Sequence, residues 1–418
     1  MFALVDAVSF YASAEKVFDP SIRNKPVVVL TNNDGCICAV CPIARRLGIP
    51  KFKPYFKIKS FLKQHNVVVR SSNYELYADL SDQMMNVIAR FCDNQHIYSI
   101  DESFLEFKHY QKIINSWHDY GHLIRNAVWK ETRLPVGVGF GITPTLAKAA
   151  NHAAKKLSGF NGVAVIDDMT SAAEILKRMD VSEVWGVGNK LTAKLKAQGI
   201  DTAFKLSQQP AKAMRKQFSV VLERTINELN GQICLSWEDV KAAKQEIFST
   251  RSFGQRICDI NTLQSALATH AGIVAKKLRQ QNSLVKKVMI FASSSPHDAN
   301  YYKQSIVYEF PQATDNTCVI ASAVALVINY IYRHGVFFYR CGVGAISLES
   351  KQFRQADLFI EHKENPQLMS CFDAINHRFG QGTLALASQG QSERWQMSRN
   401  FLSPQFTSNW RDIPKITC

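Results

Sequence analysis

The chain contains little glycine and little proline, 20 and 13 among 418 residues. A collagen-like chain or a low-complexity disordered chain would carry far more of both. Hydrophobic residues make up 46% of the sequence and charged residues 20%, which predicts a globular protein. At this length we expect about two to four domains, with at least one large buried core.

The sequence also lacks a run that is long and apolar enough to span a membrane. The longest run without charge, residues 316–332, contains several polar residues, so it predicts a buried helix and no membrane partner. Residues 1–6 include no basic leader, and we therefore expect no secretory signal. We expect a cytoplasmic protein whose ten cysteines are reduced thiols and not disulfides.

Acidic residues are scarce relative to basic ones. Fifty lysines and arginines stand against 35 aspartates and glutamates, which gives a formal charge of +15. Such an excess repels itself unless a polyanion accompanies it, so nucleic acid is the leading partner. Composition alone leaves open the alternative that the charge only keeps the protein soluble.

Patterns along the chain divide it into regions of different secondary structure. Residues 1–165 alternate short β-branched runs with helical stretches, which predicts an α/β sheet domain. From about 170 to 235 the helical spacing predicts a small all-helical domain. A polar stretch at 238–245 predicts a linker, after which strands and helices resume to about 350.

Thr143 followed by Pro144 predicts the start of a helix, because threonine caps helices and proline suits their first position. The predicted helix presents Lys148, His152 and Lys155 on one face, which is therefore basic. We interpret His152 as a structural residue.

Three acidic residues lie where apolar strands are predicted. Asp6 ends one apolar run, and Asp101 with Glu102 interrupts the run from Ile97 to Leu105. Buried carboxylates are costly unless a cation or a hydrogen-bond donor compensates them. A hairpin turn would bring Asp101 and Glu102 together, and an adjacent strand would add Asp6. Taken singly, each is better explained as a turn or cap residue.

Three carboxylates on one side of a sheet would form the oxygen-rich environment that Mg²⁺ takes in proteins. Two such ions can hold the attacking and leaving oxygens of an in-line phosphoryl transfer, while fixed cations neutralise a triphosphate. Sequence order leaves it open whether the three side chains converge.

Several segments together resemble the Y-family of translesion DNA polymerases, in particular its bacterial UmuC-like lineage, the catalytic subunits of DNA polymerase V. The resemblance covers essentially the whole chain and includes the C-terminal stretch. The segments are FALVDAVSFYASAE at 2–15, NNDGC at 32–36, SSNYELYADLS at 71–81 and YSIDESF at 98–104.

The resemblance implies a multidomain α/β fold, a right-hand polymerase with palm, fingers, helical thumb and α/β little finger. The implied domains are a palm at 1–9 and 70–168, fingers at 10–69, a thumb with a helix-hairpin-helix at 169–236, a linker at 237–245, a little finger at 246–350 and a C-terminal extension at 351–418.

The resemblance also implies roles for individual residues. Asp6, Asp101 and Glu102 match the catalytic ligands of two Mg²⁺ ions, assisted by the carbonyl of Ala7. Four residues match the nucleotide-binding positions of the family, with the ring of the second serving as a steric gate against a 2′-hydroxyl and the last two contacting the triphosphate. They are Phe10, Tyr11, Arg45 and Lys155.

Two positions depart from the pattern of the wider family. Pro42 stands where much of the family has tyrosine, and Val8 stands where it has asparagine or aspartate, although UmuC-like chains also lack that tyrosine. The departures are the only support for an alternative in which the chain is a catalytically silent DNA-binding scaffold of a repair complex. A second alternative is another two-metal nucleotidyl enzyme on a palm-like sheet, such as a cyclase.

The segment VWGVGNK at 184–190 resembles a helix-hairpin-helix. Gly186 and Gly188 would let backbone amides point at a DNA phosphate, with Lys190 beside them. A plain loop is the alternative, since a lone pair of glycines is weak evidence. In the little finger, Arg251 and Arg256 match residues that neutralise backbone phosphates, and a solvated strand face is the alternative for them.

The segment QADLF at 355–359 resembles the pentapeptide that docks on a sliding clamp. Gln355 would make polar contacts, and Leu358 with Phe359 would fill an apolar pocket. Cys36, Cys38 and Cys41 are interpreted as small apolar side chains, because no fourth zinc ligand follows at the usual spacing.

The sequence thus predicts a DNA-directed DNA polymerase that performs error-prone translesion synthesis in the SOS response to DNA damage. Its predicted partners are primer-template DNA, a dNTP and the sliding clamp. The resemblance adds a UmuD-like accessory subunit and a RecA-like recombinase filament.

Overall fold

The computed structural model of the chain describes residues 1–235, 243–353, 365–380, 382–390, 395 and 397–414. These residues fall into two compact units. The first comprises 1–235 and 400–414, and the second comprises the described residues between 243 and 399.

The first unit contains two sheets. A five-stranded sheet has the order β5-β6-β1-β7-β8, with β1 antiparallel to both of its neighbours and β8 parallel to β7. A three-stranded sheet has the order β3-β2-β4. The strands are β1 (Phe2–Ala7), β2 (Val27–Leu30), β3 (Ile37–Val40), β4 (Val68–Ser71), β5 (Gln95–Ile97), β6 (Glu102–Glu106), β7 (Val136–Gly141) and β8 (Val163–Ile166).

Helices cover these sheets and then continue as a separate group, as the change of period near residue 170 predicts. Four of them, α7 to α10, are short, and α11 packs against both α9 and α10. The helices are α1 (Phe10–Ala14), α2 (Pro42–Arg46), α3 (Tyr55–Gln64), α4 (Tyr74–Ala89), α5 (Trp117–Thr132), α6 (Pro144–Lys156), α7 (Met169–Lys177), α8 (Asn189–Ala197), α9 (Ala203–Ser207), α10 (Ala211–Gln217) and α11 (Val220–Leu229).

Helix α6 lies directly on the five-stranded sheet. Thr143 accepts a hydrogen bond from the amide of Leu146 at its first turn, and Pro144 occupies its first position, which confirms the predicted helix start. A Cβ at Gly139 would lie 2.0 Å from the backbone nitrogen of Asn151, so only glycine in β7 permits this approach. The close packing brings the basic face of α6 up to the strand that carries Asp6.

The second unit is a four-stranded antiparallel sheet in the order β11-β10-β12-β9 with two long helices packed on its apolar face. Its elements are β9 (Ile247–Ile257), α12 (Ile260–Gln280), β10 (Ser283–Ser293), β11 (Lys303–Thr314), α13 (Thr317–Ile331), β12 (Phe338–Ser350) and α14 (Pro366–Phe379).

The uncharged run at 316–332 forms α13, as expected, but only one of its faces is buried. Leu326 and Tyr330 on the opposite face are exposed, because the helix covers the sheet as an outer layer. In the parts of the chain that are described, no helix combines the length and the hydropathy that crossing a membrane requires.

Candidate active site

A hairpin places the predicted carboxylates at one end of the central strand. Strand β5 ends at Ile97, and β6 begins at Glu102, whose carbonyl accepts hydrogen bonds from the amides of Tyr98 and Ser99 at 3.0 and 3.1 Å. Glu102 is the direct cross-strand partner of Asp6. Residues paired in this way project their side chains to the same face, so the fold brings Asp6 and Glu102 together.

Asp101 lies in the turn, where successive side chains need not point to opposite faces of the sheet as they do in a regular strand. Its carbonyl accepts a hydrogen bond of 3.0 Å from the amide of Ala7, and one carboxylate oxygen accepts 2.7 Å from the hydroxyl of Ser99. The predicted ligands Asp101 and Ala7 are thus joined through the backbone beside Asp6.

Two lysines of α6 neutralise the carboxylates. Lys155 Nζ lies 2.6 Å from a carboxylate oxygen of Asp6, and Lys148 Nζ lies 2.9 Å from one of Glu102. All four side chains are mostly buried. Removing one partner of an ion pair costs more stability in such surroundings than it does at the surface. Helix α6 therefore supplies the positive charge that allows acidic residues to stand in an apolar sheet.

The electrostatics of Asp6 reflect its crowded surroundings. Burial raises the pKa of the Asp6 carboxyl to about 6, with Glu102 and Asp101 adding to the rise and Lys155 opposing it. The three carboxylates therefore act on one another. Among the described residues, no three histidine, cysteine, aspartate or glutamate side chains form a ready group for a metal ion. In the observed arrangement Lys155 and Lys148 hold the oxygens that a cation would take.

The predicted gate, Tyr11, belongs to a cluster of tyrosines beside these carboxylates. Its ring stacks on that of Tyr77 at 4.4 Å with an interplanar angle of 15° and meets Tyr74 edge-on at 6.2 Å. Burial raises the pKa of Tyr11, and the charge of Asp101 adds to the rise. Phe10 is buried and packs against both Tyr11 and Tyr77, so it supports the cluster from the core side.

Arg45 is exposed on α2, and its guanidinium donates a hydrogen bond of 3.4 Å to the hydroxyl of Ser9. Pro42 occupies the first position of α2, where proline favours a helix start, and the divergent residue thus leaves Arg45 in place. Val8 donates its amide to the carbonyl of Pro135 at 2.8 Å.

The predicted DNA-contacting loop lies next to this site. Trp185 packs against Phe104 at 5.9 Å, and the Nζ of Lys148 lies 5.1 Å from the centre of the Trp185 ring. Gly186 has a φ of +88°, a conformation that side chains disfavour. Gly188 caps α8, so that Lys190 stands exposed in its first turn.

In the second unit, Arg251 is exposed on β9, whereas Arg256 forms an ion pair of 2.7 Å with Asp298. Arg256 therefore carries a partner that a DNA phosphate would have to displace. Three further predicted residues, Gln355, Leu358 and Phe359, lie outside the described residues.

The cluster of Cys36, Cys38 and Cys41 lies in and beside β3 of the three-stranded sheet. Cys41 is buried, and its sulfur accepts hydrogen bonds from the amides of Val27 and Ala44 at 3.2 and 3.4 Å. Cys38 donates to the carbonyl of Val29 at 3.3 Å. These local contacts give the thiols a structural role.

Two residues of α6 shape the site in ways that the sequence analysis did not predict: Lys148 was placed on the basic face without a partner, and Asn151 was missed. The Nζ of Lys148 lies over the ring of Tyr98 at 4.7 Å in addition to its pairing with Glu102. Asn151 is buried and donates to the carbonyls of Leu4 and Gly137 at 3.1 and 2.8 Å, which fixes α6 to two strands. Their spacing of three residues, which places both on one helix face, was the available signal.

Sequence reasoning also missed an aromatic and basic surface at 51–63. From Gly35 to Arg70, both included, the chain holds eight lysines and arginines and no acidic residue. Phe52 and Phe56 are 74% and 75% exposed in this stretch. The cations around them, none of which has an ion-pair partner among the described residues, are Lys51, Lys53, Lys57, Lys59 and Lys63.

Comparison with solved structures defines the class of fold. A Y-family DNA polymerase chimera, Dbh-Dpo4(243-245)-Dbh, matches 82% of this chain and 98% of its own with a TM-score of 0.62 and 18% identity. An insertion ternary complex of Dbh DNA polymerase matches 84% of this chain and 100% of its own with a TM-score of 0.56 and 18% identity. The fold is that of the Y-family DNA polymerases, a right hand of palm, fingers, thumb and little finger.

Comparison of sequences then identifies the family. The impB/mucB/samB family matches residues 5–152, its C-terminal domain matches 244–358, and a domain of unknown function matches 366–416. Protein UmuC of Salmonella typhimurium is 40% identical over 100% of both chains, and Protein ImpB of Salmonella typhimurium is 39% identical over 99% of both. This chain belongs to the impB/mucB/samB family and is a UmuC-like Y-family polymerase.

Proposed function

We propose that this DNA-directed DNA polymerase performs error-prone translesion synthesis in the SOS response by two-metal-ion nucleotidyl transfer. The reaction is attack of a primer 3′-hydroxyl on the α-phosphate of a dNTP, with release of pyrophosphate. The observation that carries the proposal is the pairing of Asp6 opposite Glu102, with Asp101 in the adjoining turn, beneath the lysines of α6.

The donor set fits magnesium. Three carboxylates and a backbone carbonyl are the oxygen ligands that Mg²⁺ takes while keeping waters and substrate phosphates. Burial and the neighbouring carboxylates raise the pKa of Asp6, so a further cation beside Lys155 would favour its ionised form. We assign Asp6, Asp101, Glu102 and the carbonyl of Ala7 as the residues that would hold two ions. Those ions would supply the electrostatic stabilisation of the transferring phosphoryl group.

The other residues of the site bind and select the nucleotide. Tyr11 would press against the sugar and exclude a 2′-hydroxyl, while Phe10 supports its ring. Lys155 and Arg45 would contact the triphosphate, each as a fixed cation aimed at phosphate. When the substrate and its metal bind, Lys155 would release Asp6 and pair with a phosphate of the substrate.

Contacts to DNA follow from exposed amides and cations. The loop with Gly186, Gly188 and Lys190 would bind a backbone phosphate at the N-terminus of α8. Arg251 and Arg256 would neutralise phosphates along the little finger. The surface at 51–63 fits an unpaired template strand, because exposed rings stack on bases and free lysines attract phosphates.

The domain boundaries predicted from the sequence are retained as part of the proposal. The proposal also includes a cytoplasmic location, which the free thiols of the described cysteines support. It further includes docking of residues 355–359 on a sliding clamp. A UmuD-like subunit and a RecA-like filament are the further partners expected from the family.

The direct test is primer extension by the purified full-length chain with a primed template, dNTPs and Mg²⁺. Asp101→Ala should lower incorporation by about a thousandfold or more, because a ligand to the reacting metal is lost. Asp82→Ala, an exposed aspartate on α4, is the matched control and should retain activity. Equal incorporation by wild type and Asp101→Ala would overturn the assignment.

A further inference from the structure

A segment close to the end of the described chain packs against β4 and α4 of the first unit. We call residues 400–407 the C-terminal strap. It lies within the segment that matches a domain of unknown function, and it packs with the first unit although the residues before it belong to the second.

Backbone contacts fix the strap at the end of β4. The amide of Phe401 donates to the hydroxyl of Ser71 at 2.9 Å, and the amide of Ser71 donates to the carbonyl of Phe401 at 3.0 Å. The Asp34 carboxylate accepts from Ser71 at 2.6 Å and from the amide of Asn400 at 2.8 Å. The start of the strap is thus held by the Asp34 carboxylate and by the two hydrogen bonds between Phe401 and Ser71.

Aromatic packing fastens the strap on both sides of that pair. The ring of Phe401 meets Tyr55 edge-on at 5.5 Å, and the ring of Phe406 stacks on Phe18 at 5.1 Å. Thr407 donates a hydrogen bond to Asp79 on α4. These contacts belong to the core of the first unit, so the strap is a built part of that core.

Ser403 connects the strap to the first turn of α4. It is buried and accepts a hydrogen bond of 3.0 Å from the side-chain amide of Asn73, which is fully buried. The oxygen of the same Asn73 side chain accepts from the amide of Leu76 and thereby caps α4. The strap and the helix cap therefore share one side chain.

A second connection runs through Glu15. Tyr77 donates a hydrogen bond of 2.6 Å to Glu15. Burial raises the pKa of Glu15, and hydrogen bonding from Tyr77 and Ser403 opposes that rise. The amide of Tyr77 also donates to the carbonyl of Asn73 at 3.0 Å, so both connections end on Tyr77, whose ring forms the stack with Tyr11.

We propose that the C-terminal strap positions the sugar-selecting ring of Tyr11. Ser403 acts through Asn73 and Glu15 on Tyr77, and the ring of Tyr77 holds that of Tyr11. The inference rests on the proposed function in that Tyr11 is taken as the gate. It gives the segment of unknown function a role in nucleotide selection, with Ser403 as a positioning residue.

The test measures discrimination and not activity alone. The full-length chain extends one primed template with a dNTP or with the matching rNTP, and kcat/KM is determined for each. Ser403→Ala should lower the dNTP-to-rNTP ratio by about tenfold. Loss of the hydroxyl removes the 3.0 Å acceptor of the Asn73 side-chain amide, leaves it only the carbonyls of Ser403 and Pro404 at 3.4 Å, and loosens the stack. A purely structural loss would lower both rates together and leave the ratio unchanged.

Matched variants separate the possibilities. Ser403→Thr keeps the hydroxyl and should restore the ratio, and Ser408→Ala removes an exposed serine close by and should not change it. Asn73→Ser keeps an oxygen for the cap of α4 but is too short for the strap, so it provides a second route to the same result if Ser403→Ala fails to fold.

A double-mutant cycle with Tyr11→Ala decides the mechanism. If Ser403 acts through Tyr11, Ser403→Ala will change the ratio little in the Tyr11→Ala background. Additive effects, or an unchanged ratio in folded Ser403→Ala and Asn73→Ser, would overturn the inference. Absence of dNTP incorporation by wild type would instead overturn the proposed function, so the two failures are distinguishable.

Discussion

Two groups of lysines in the first unit stand in opposite surroundings. Lys148 and Lys155 on α6 are mostly buried, and each is paired with a carboxylate of the five-stranded sheet. The lysines of the surface at 51–63 are exposed and lie in a stretch without acidic residues. The first group compensates the charge of a buried acidic cluster. The second group has no ion-pair partner among the described residues, so its charge is available to an external polyanion.

The largest effect expected from this contrast is on the paired group. Lys155→Ala should reduce dNTP incorporation by about a hundredfold, because it removes a cation for the triphosphate and leaves Asp6 without its partner. Lys156→Ala is the control, since that lysine is exposed on the same helix and pairs with Glu183. Steady-state incorporation by the two variants measures the difference. Equal losses would show that the position of the cation on α6 does not matter.

The unpaired group should affect binding of single strands. Phe56→Ala should weaken binding of a dT oligonucleotide to the full-length chain by about tenfold, because base stacking on an aromatic ring contributes about 1–3 kcal/mol. Phe379→Ala removes a ring that is 65% exposed beside Arg378 in the second unit and should have no effect. Fluorescence anisotropy provides the affinities.

Salt and an abasic probe sharpen the same comparison. Lys57→Ala should reduce the salt slope of binding by about 0.7, the value for one phosphate contact on a single strand, whereas Phe56→Ala should leave the slope unchanged. With an oligonucleotide that lacks bases, the effect of Phe56→Ala should disappear. A tenfold loss that persists on the abasic probe would assign Phe56 to folding and not to stacking.

The last effect is on stability and concerns a buried histidine whose charged neighbours, in the described part of the chain, are both cations. Burial lowers the pKa of His270 from 6.5 to about 4, and Arg251 and Lys277 add to the lowering. Between pH 6.5 and pH 4 the imidazole of His270 binds a proton in the unfolded chain but not in the folded chain. The free energy of unfolding therefore falls as the pH falls from 6.5 to 4. The loss amounts to about 3 kcal/mol.

His270→Gln keeps a hydrogen-bonding side chain beside Ser249, which lies 2.8 Å from the His270 ring, and removes the titration. The fall in the melting temperature of the second unit between pH 7 and pH 4.5 should therefore be smaller than in wild type. His297→Gln, on an exposed loop, should behave as wild type. An identical fall in all three proteins would contradict the role of His270.

Much of the sheet and of the carboxylate hairpin could be predicted from the sequence. Short apolar runs define β1, β2 and β7, and acidic residues inside such runs mark the site because burial makes them costly. The cap and proline at Thr143 and Pro144 define the start of α6. These signals are local, so a single sequence carries them.

Other features depend on contacts between distant segments. Ser403 meets Asn73 across 330 residues, and no periodicity marks either residue as a partner of the other. The pairing of Lys148 with Glu102 likewise requires the glycines of β7 to admit α6 to the sheet. The exposure of Phe52 and Phe56 is invisible in the sequence, since an aromatic residue in a mixed stretch predicts burial as readily.

The central claim is that Asp6, Asp101 and Glu102 hold divalent ions, which replace the lysines now paired with Asp6 and Glu102. It is tested most directly by anomalous diffraction from crystals of the chain with primer-template DNA, a non-hydrolysable dNTP and Mn²⁺. The account predicts manganese peaks coordinated by all three carboxylates, with Lys155 and Lys148 moved away from Asp6 and Glu102. Bound nucleotide with no peak at these residues, and both lysines still paired as they are here, would contradict it.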